Sequence, residues 1–484
     1  MTDPTRRPRF FLRTYGCQMN VHDSEKVANL LHHAGYDAAP AETDADLLIV
    51  NTCSIREKAE HRLYSDLGAL REWKADRPGR VLGVAGCVAQ QEGDAILRRF
   101  GQVDFVYGTH NLRLVPDMAH AARDGRRSVE TSETDSQDRF DLPERHADFA
   151  STTPGRAFLT VMEGCDMFCS FCVVPTTRGR EISRPADAIV AEARDLAERG
   201  VVEITLLGQT VNAYGRHDLR RGQAEAKGTV AFGELLRRLD AIPGIERIRY
   251  TSPHPLFMDD ALVRAHRDLE SLCPHVHLPV QSGSDAVLER MRRRYTAGRF
   301  LEQVRALRAA RPDLVLTTDL IVGFPGETRD DFARTLDLVR EAGFVDSFSF
   351  KYSPRPNTKA AGLPDAVDPA EAQHRLEQLQ DLQRSLTLDY HRSRVGQTAR
   401  VLVTGESRRG GAQRSGRDAY HRVVNFAAAA DEPAQPGRCV DLRLVEATPH
   451  SLIGEPIRLV PGLPVVKNDP RSADASERSA IVRG

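Results

Sequence analysis

Three cysteines fall within the stretch Met162-Glu163-Gly164-Cys165-Asp166-Met167-Phe168-Cys169-Ser170-Phe171-Cys172, spaced C-x3-C-x2-C. Three soft thiolates in one loop favour an iron–sulfur cluster or zinc. A structural zinc site wants four ligands. No fourth Cys or close His follows, and the next His is His217. Three thiolates on a four-iron cluster would instead leave one iron open to a small molecule. An aromatic, Phe171, stands just before the last cysteine.

A second set is dispersed. Cys17, Cys53 and Cys87 are 36 and 34 residues apart, about one βα unit each. Each directly follows a stretch that reads as a strand: Arg9–Thr14, Asp46–Val50 and Arg80–Ala85. In a parallel sheet those strand ends share one rim, where ligands bind. A lone free Cys is usually a small buried hydrophobe, but three at one topological place predict a second metal cluster. Cys273 and Cys439 have no such company and read as structural.

The elements that must position these thiols follow from the pattern. Residues 8–124 alternate strands with helices, one from Asp23 with apolar Val27, Leu30 and Leu31, another over roughly 55–74, and a fourth strand near 103–107. That predicts an open parallel α/β sheet. Residues 125–150 are polar and read as a linker. Residues 151–388 hold six strands: Ala157–Met162, Glu203–Leu207, Arg247–Thr251, His275–Val280, Leu314–Val322 and Ser347–Tyr352. With intervening helices they make a partial (β/α)6 barrel, and a polar or glycine-rich motif ends every strand. That rim is where barrel enzymes keep their chemistry. On it, Gln209 and Ser282 are candidates to touch a bound cofactor. The charged run 214–227 reads as a surface insertion. A helix over 369–393 carries a stripe of Leu376, Leu379, Leu382 and Leu386, which predicts packing across a domain boundary.

From residue 391 to 460 the texture turns to short strands with Gly-rich turns, predicting a small antiparallel β-barrel. Between Arg392 and Arg458 stand eleven Arg, no Lys and seven Asp or Glu, a net of +4. Arg408, Arg409, Arg414, Arg417 and Arg422 are the densest part. Such a barrel suits RNA as well as a merely solvated basic face. Residues 461–484 read as a disordered tail.

The whole chain bounds the rest. Its 484 residues allow several domains, and a net charge of −1 confines any RNA contact to a local patch. No apolar run of transmembrane length or secretory signal core is present, and eight cysteines in so long a chain argue for a reducing cytoplasm.

Taken together, residues 9–460 resemble the methylthiotransferase family of radical S-adenosylmethionine (SAM) enzymes. The resemblance rests on Thr14-Tyr15-Gly16-Cys17-Gln18-Met19-Asn20, Asn51-Thr52-Cys53-Ser54-Ile55-Arg56-Glu57-Lys58-Ala59 and Gly86-Cys87-Val88-Ala89-Gln90. It continues through Cys172-Val173-Val174-Pro175-Thr176-Thr177-Arg178-Gly179, His277–Asp285 and Ile321–Thr328. The Cys-Ser-Ile-Arg-Glu-Lys run and Arg422-Val423-Val424-Asn425-Phe426 point to its tRNA-modifying branch. The resemblance implies a radical SAM core and a C-terminal TRAM domain that holds tRNA. It implies two [4Fe-4S] clusters. Cys165, Cys169 and Cys172 would hold the one that binds and cleaves SAM; Cys17, Cys53 and Cys87 would hold an auxiliary one that carries sulfur. Gln209 and Ser282 are expected at the SAM site. The implied substrate is an isopentenylated adenosine beside the anticodon, in the anticodon stem-loop of tRNA. A reductant protein such as flavodoxin or ferredoxin is expected as a partner, the chain itself being a monomer. Within the family, another modified tRNA adenosine or a ribosomal protein is the rival substrate. Outside it, a non-enzymatic iron–sulfur RNA-binding protein is the rival.

Overall fold

The structure, a computed structural model, describes residues 6–54, 57–146, 153–407, 410, 413–427 and 434–457. The expected tail therefore lies outside the described residues, as do Arg408 and Arg409.

The N-terminal unit runs β1 (Arg9–Thr14), α1 (Gln18–His33), β2 (Asp37–Ala38), β3 (Leu47–Thr52), α2 (Glu57–Asp76), β4 (Val81–Gly86), α3 (Cys87–Glu92), α4 (Asp94–Arg99), β5 (Phe105–Tyr107), α5 (Val115–Arg123) and β6 (Ser128–Glu130). Its six strands pair in parallel in the order β2-β1-β3-β4-β5-β6. Strand β3 explains why an unbroken apolar run was needed. Leu47 and Ile49 pack on one face with Val27, Leu31 and Val115 from α1 and α5. Leu48 and Val50 pack on the other with Leu63, Leu67 and Val88 from α2 and α3. A parallel sheet covered on both faces requires this, and each fully buried aliphatic contributes about 1.5–3 kcal/mol. Residues 125–150 are not simply a linker. Strand β6 lies among them, pairing with β5, and Val129 packs on the core. One partly buried Val in a polar run is too little for a periodicity argument to catch.

The central unit follows with β7 (Arg156–Thr160), β8 (Met162–Glu163), α6 (Val174–Arg178), β9 (Ile182–Ser183), α7 (Ala186–Glu198), β10 (Glu203–Leu207), α8 (Arg216–Arg220), α9 (Phe232–Asp240), β11 (Arg247–Tyr250), α10 (Asp260–Asp268), β12 (His275–His277), α11 (Asp285–Arg290), α12 (Ala297–Ala310), β13 (Val315–Val322), α13 (Arg329–Ala342), β14 (Asp346–Lys351) and α14 (Pro369–Arg394). The parallel ladders β7-β10-β11 and β12-β13-β14 are joined through a bridge from Ile248 to Leu272. The barrel is open between β7 and β14, which are not paired. Leu159, Ile204, Leu206, Ile248, Leu316 and Leu320 face the outer helices in one continuous core. The leucine stripe of α14 joins it, with Leu379 fully buried. The segment 214–227 is a surface insertion as expected, with 219–223 exposed, but it is anchored in the core at two points. Tyr214 is buried with its hydroxyl donating to the Arg184 carbonyl at 2.8 Å. Asp218 is also buried, held by Lys227 and Thr229.

The C-terminal unit is a closed barrel of β15 (Thr398–Glu406), β16 (Gln413–Arg417), β17 (Val423–Ala427), β18 (Cys439–Ala447) and β19 (Leu452–Pro456), in the order β15-β16-β17-β19-β18. It is not wholly antiparallel, because β17 and β19 pair in parallel. Strand β16 reads Gln-Arg-Ser-Gly-Arg and has no apolar alternation to betray it. The small barrel docks where the central strands begin. Arg247 donates to the carbonyls of Arg417 (3.0 Å) and Arg400 (2.6 Å), and Arg249 to those of Ala419 (3.0 Å) and Asp418 (2.8 Å). The fully buried Glu203 balances these guanidiniums, with Arg249 at 3.2 Å and Arg156 at 2.9 Å. The opposite rim, at the strand ends, is left for chemistry.

Two candidate cluster sites and the strap between them

Strands β1, β3 and β4 are neighbours in the sheet, so Cys17, Cys53 and Cys87 come together at one rim. Cys17 caps the start of α1, Cys53 follows β3 directly, and Cys87 opens α3. Two glycines make the approach possible. A Cβ on Gly16 (φ +119°) would stand 2.2 Å from the Cys53 Cβ. One on Gly86 (φ +92°) would stand 2.2 Å from the Thr52 carbonyl oxygen. Both backbone angles also lie where only glycine is comfortable. A buried amide lattice braces the rim: Asn20 donates to the Thr52 carbonyl at 2.7 Å, and Asn51 to the Asn20 carbonyl and Ser24 hydroxyl at 2.9 Å. Cys53 donates a hydrogen bond to Cys17 and lowers its thiol to about 6, against the upward push of burial. Burial raises the Cys87 thiol, opposed by the Arg178 guanidinium.

The second trio lies on the loop after β8. Cys165 is buried, its backbone N–H donating to the Gly179 carbonyl at 3.1 Å and its sulfur 3.0 Å from the Thr210 hydroxyl. Cys169 accepts from Arg293 Nη1 at 3.5 Å, and Cys172 from the Val174 N–H at 3.5 Å. Phe168 carries the loop through a positive φ of 49°, and Ser170 pins it to the carbonyls of Met291 (3.0 Å) and Arg290 (2.7 Å). Burial pushes the Cys172 thiol up to about 12, and the neighbouring Cys169 and Cys165 push the same way. Phe171 packs with Ile321 and Tyr352 around Phe324.

Three thiols at each site suit an iron–sulfur cluster. Among the described residues, no three of His, Cys, Asp or Glu gather as a single metal ion requires. A four-iron cluster asks for less convergence, because each thiolate takes a different iron. Buried thiols whose protons are hard to remove become thiolates when a cationic centre takes the proton's place.

Sequence reasoning missed the link between the two sites. Arg178 ends α6, six residues beyond Cys172, and only 2% of it is exposed. It reaches into the N-terminal rim, donating to Asp23 Oδ2 at 2.6 Å and Asn20 Oδ1 at 3.3 Å, and hydrogen bonding the Cys87 thiol. Burial opposes its charge, but Asp23, Cys87, Cys17 and Glu163 hold its pKa well above the usual arginine range. Helix α3, which Cys87 opens, packs on α6, which Arg178 closes. Nearby, the buried Glu163 pairs with Lys26 of α1 at 3.2 Å and with Arg139. A signal existed: Arg178 is the one charged residue between Cys172 and Gly179, and Asn20 and Asp23 follow Cys17 at helical spacing.

Gln209 sits at the cluster loop. Its Oε1 accepts the Gly164 N–H at 2.5 Å, while its Nε2 is buried with no hydrogen-bond partner among the described residues. Ser282 is fully buried, its hydroxyl 3.3 Å from that of Thr335 and accepting from the Ser284 N–H at 3.2 Å. Among the described residues, the arginines of the small barrel do not form one free face. Arg422 is buried in a pair with Asp346 at 3.0 Å, and Arg417 donates to the His421 carbonyl at 2.8 Å, its pKa lowered to about 10 by burial.

An open six-stranded β/α barrel with a three-thiol loop on its rim defines a radical SAM protein. The radical SAM superfamily matches residues 159–339, the family described as Uncharacterized protein family UPF0004 matches residues 9–108, and the TRAM domain matches residues 392–457. A radical SAM methyltransferase from Kitasatospora setae, TsrM, shares the fold at TM-score 0.53, with 15% identity over 74% of each chain. The tRNA-2-methylthio-N(6)-dimethylallyladenosine synthase of Geobacter metallireducens is 48% identical over 92% of this chain and 97% of its own length. That of Geotalea uraniireducens is 47% identical over 93% and 99%. The chain belongs to the methylthiotransferase family of radical SAM enzymes, among its tRNA-2-methylthio-N6-dimethylallyladenosine synthases.

Proposed function

We infer that this chain methylthiolates carbon-2 of N6-isopentenyladenosine next to the anticodon in tRNA. One observation carries the reading: a single buried arginine, Arg178, ends the helix that follows the Cys165–Cys172 loop and reaches Asp23 and the Cys87 thiol of the other set. The target C–H bond is unactivated, and polar acid–base groups do not readily break it. Bound to the six cysteines and the rim, two [4Fe-4S] clusters and SAM would supply the electron, the carbon radical, the sulfur and, from a second SAM, the methyl group. Cys165, Cys169 and Cys172 hold the SAM-binding cluster, and Cys17, Cys53 and Cys87 the auxiliary one.

The chain's own task is proximity and exclusion of water. The strap from Cys172 to Arg178 fixes the distance between the two sites, because α6 is anchored at both ends. Gln209, whose buried amide N–H has no partner among the described residues, would donate to SAM. Ser282, on the rim turn 281–284, would contact it as well. The base must leave the stack of the anticodon stem-loop to reach the barrel, and the TRAM barrel holds the rest of the tRNA. A flavodoxin- or ferredoxin-type protein supplies electrons in a reducing cytoplasm, to a monomer. No helix among the described residues is long and apolar enough to cross a membrane.

The test is anaerobic turnover of the reconstituted chain on tRNA carrying either isopentenyladenosine or plain adenosine, followed by nucleoside mass spectrometry. A methylthio group on the isopentenylated base alone is expected. Its appearance on another base or on a ribosomal protein would move the chain elsewhere in the family. No SAM cleavage under reduction would leave a non-enzymatic RNA-binding protein.

A further inference from the structure

Strand β14 carries two exposed aromatics on one face, Phe348 at 57% and Phe350 at 46% exposure. The register shows which face. Phe348 pairs with Asp319 and Phe350 with Ile321, while His277 pairs with Thr317. Leu316, Leu320 and Val322, the alternate residues of β13, belong to the core beneath the outer helices. The two phenylalanines therefore line the inside of the barrel. His277 meets the Phe348 ring edge-on at 5.9 Å, and its Nε2 lies 3.3 Å from Asp319 Oδ1. A single exposed apolar side chain needs no explanation. Two side by side, next to a carboxylate and at the open seam between β7 and β14, form an unfilled aromatic surface.

The ligand chemistry that fits is a flat heteroaromatic base with a hydrogen-bond donor at its edge. SAM and the RNA both carry an adenine, and the position favours the RNA. Strand β14 is one of the two free edges of the barrel, and like β11 it is tied to the TRAM unit. Arg422 pairs with Asp346 at its start, and α14 packs on both β14 and β18. The small barrel thus flanks the strand that carries the two rings. We propose that Phe348 and Phe350 are the shelf on which the extruded adenine stacks, with Asp319 accepting the single N6–H that isopentenylation leaves and Ile321 beside the alkyl group. The proposal rests on the substrate reading above and adds to it a base-recognition site.

The experiment measures affinity rather than turnover. Anaerobically reconstituted wild type, F348A/F350A and F348Y/F350Y are titrated with synthetic anticodon stem-loops bearing isopentenyladenosine or adenosine, and separately with SAM. Wild type should prefer the isopentenylated loop. The alanine pair should lose about tenfold or more of that affinity, because stacking on an aromatic side chain is worth that much per base. The tyrosine pair, which keeps the stacking face, should restore it, and SAM affinity should be unchanged throughout. A preference that survives the alanine pair overturns the shelf. So does an equal loss of SAM affinity, which would assign the surface to the cofactor's adenine. A wild type that binds both loops alike overturns the substrate reading itself, before any variant is compared.

Discussion

The two thiol sites are built in opposite ways. Cys165, Cys169 and Cys172 occupy one loop, whose spacing holds them together whatever the distant chain does. Cys17, Cys53 and Cys87 meet only when β1, β3 and β4 pair in order. Each site has one buried arginine at a thiol, Arg293 at Cys169 and Arg178 at Cys87. Arg293 is local to the barrel, donating also to the Pro279 carbonyl at 2.8 Å. Arg178 is borrowed, because it belongs to the loop site and serves the sheet site. The N-terminal rim is therefore completed by the neighbouring domain, and the barrel loop is not. The difference teaches that the two sites should fail separately in one direction and together in the other.

The largest effect should come from the cysteines. Cys165→Ala should abolish both SAM cleavage and methylthio transfer. Cys53→Ala should abolish transfer and leave reductive SAM cleavage, measured as 5′-deoxyadenosine. Equal loss of both activities in both variants would break the contrast.

Arg178→Ala comes next. It leaves Asp23 buried without its partner, which costs about 3–5 kcal/mol, read by denaturant unfolding. Methylthio transfer should fall far more than SAM cleavage. Arg178→Lys should restore little, because a single ammonium cannot span Asp23, Asn20 and the Cys87 thiol as the guanidinium fork does. Gly86→Ala should be milder. Its φ of +92° and the 2.2 Å approach to the Thr52 carbonyl put the strain, about 1–3 kcal/mol, at the sheet rim alone. Iron should be lost from the N-terminal site, with the loop site's electron paramagnetic signal unchanged.

The smallest effect on activity concerns the seam between the domains. Burial would raise the Glu192 carboxyl, but Arg184 and Arg145 hold it down to about 2. A folded pKa below the unfolded value of about 4.3 gives stabilisation that is full above that value and lost as pH falls toward 2. Glu192→Gln should remove that acid-limb slope, seen by thermal melting from pH 5 down to pH 3.

Much of this was legible because the deciding signals are local. The strand Arg9–Thr14 and the strand Glu203–Leu207 stand where the apolar runs put them. The rim position of Cys17, Cys53 and Cys87 followed from one rule of parallel sheets. What escaped depends on contacts between distant segments. Strands β6 and β16 lack apolar alternation, so their place is set by pairing with β5 and with β15 and β17. Arg417 and Arg422 looked like RNA ligands because charge alone does not say which way a side chain faces. Phe348 and Phe350 read as ordinary strand residues, since only the open barrel makes their shared face a surface.

The central claim is that the chain holds two clusters on two separable thiol sets. Iron and acid-labile sulfide per chain, after anaerobic reconstitution of wild type and of the Cys17→Ala/Cys53→Ala/Cys87→Ala variant, test it directly. The account predicts about eight iron in wild type and about four in the variant. About four in both would remove the N-terminal cluster, and the methylthiotransferase mechanism with it.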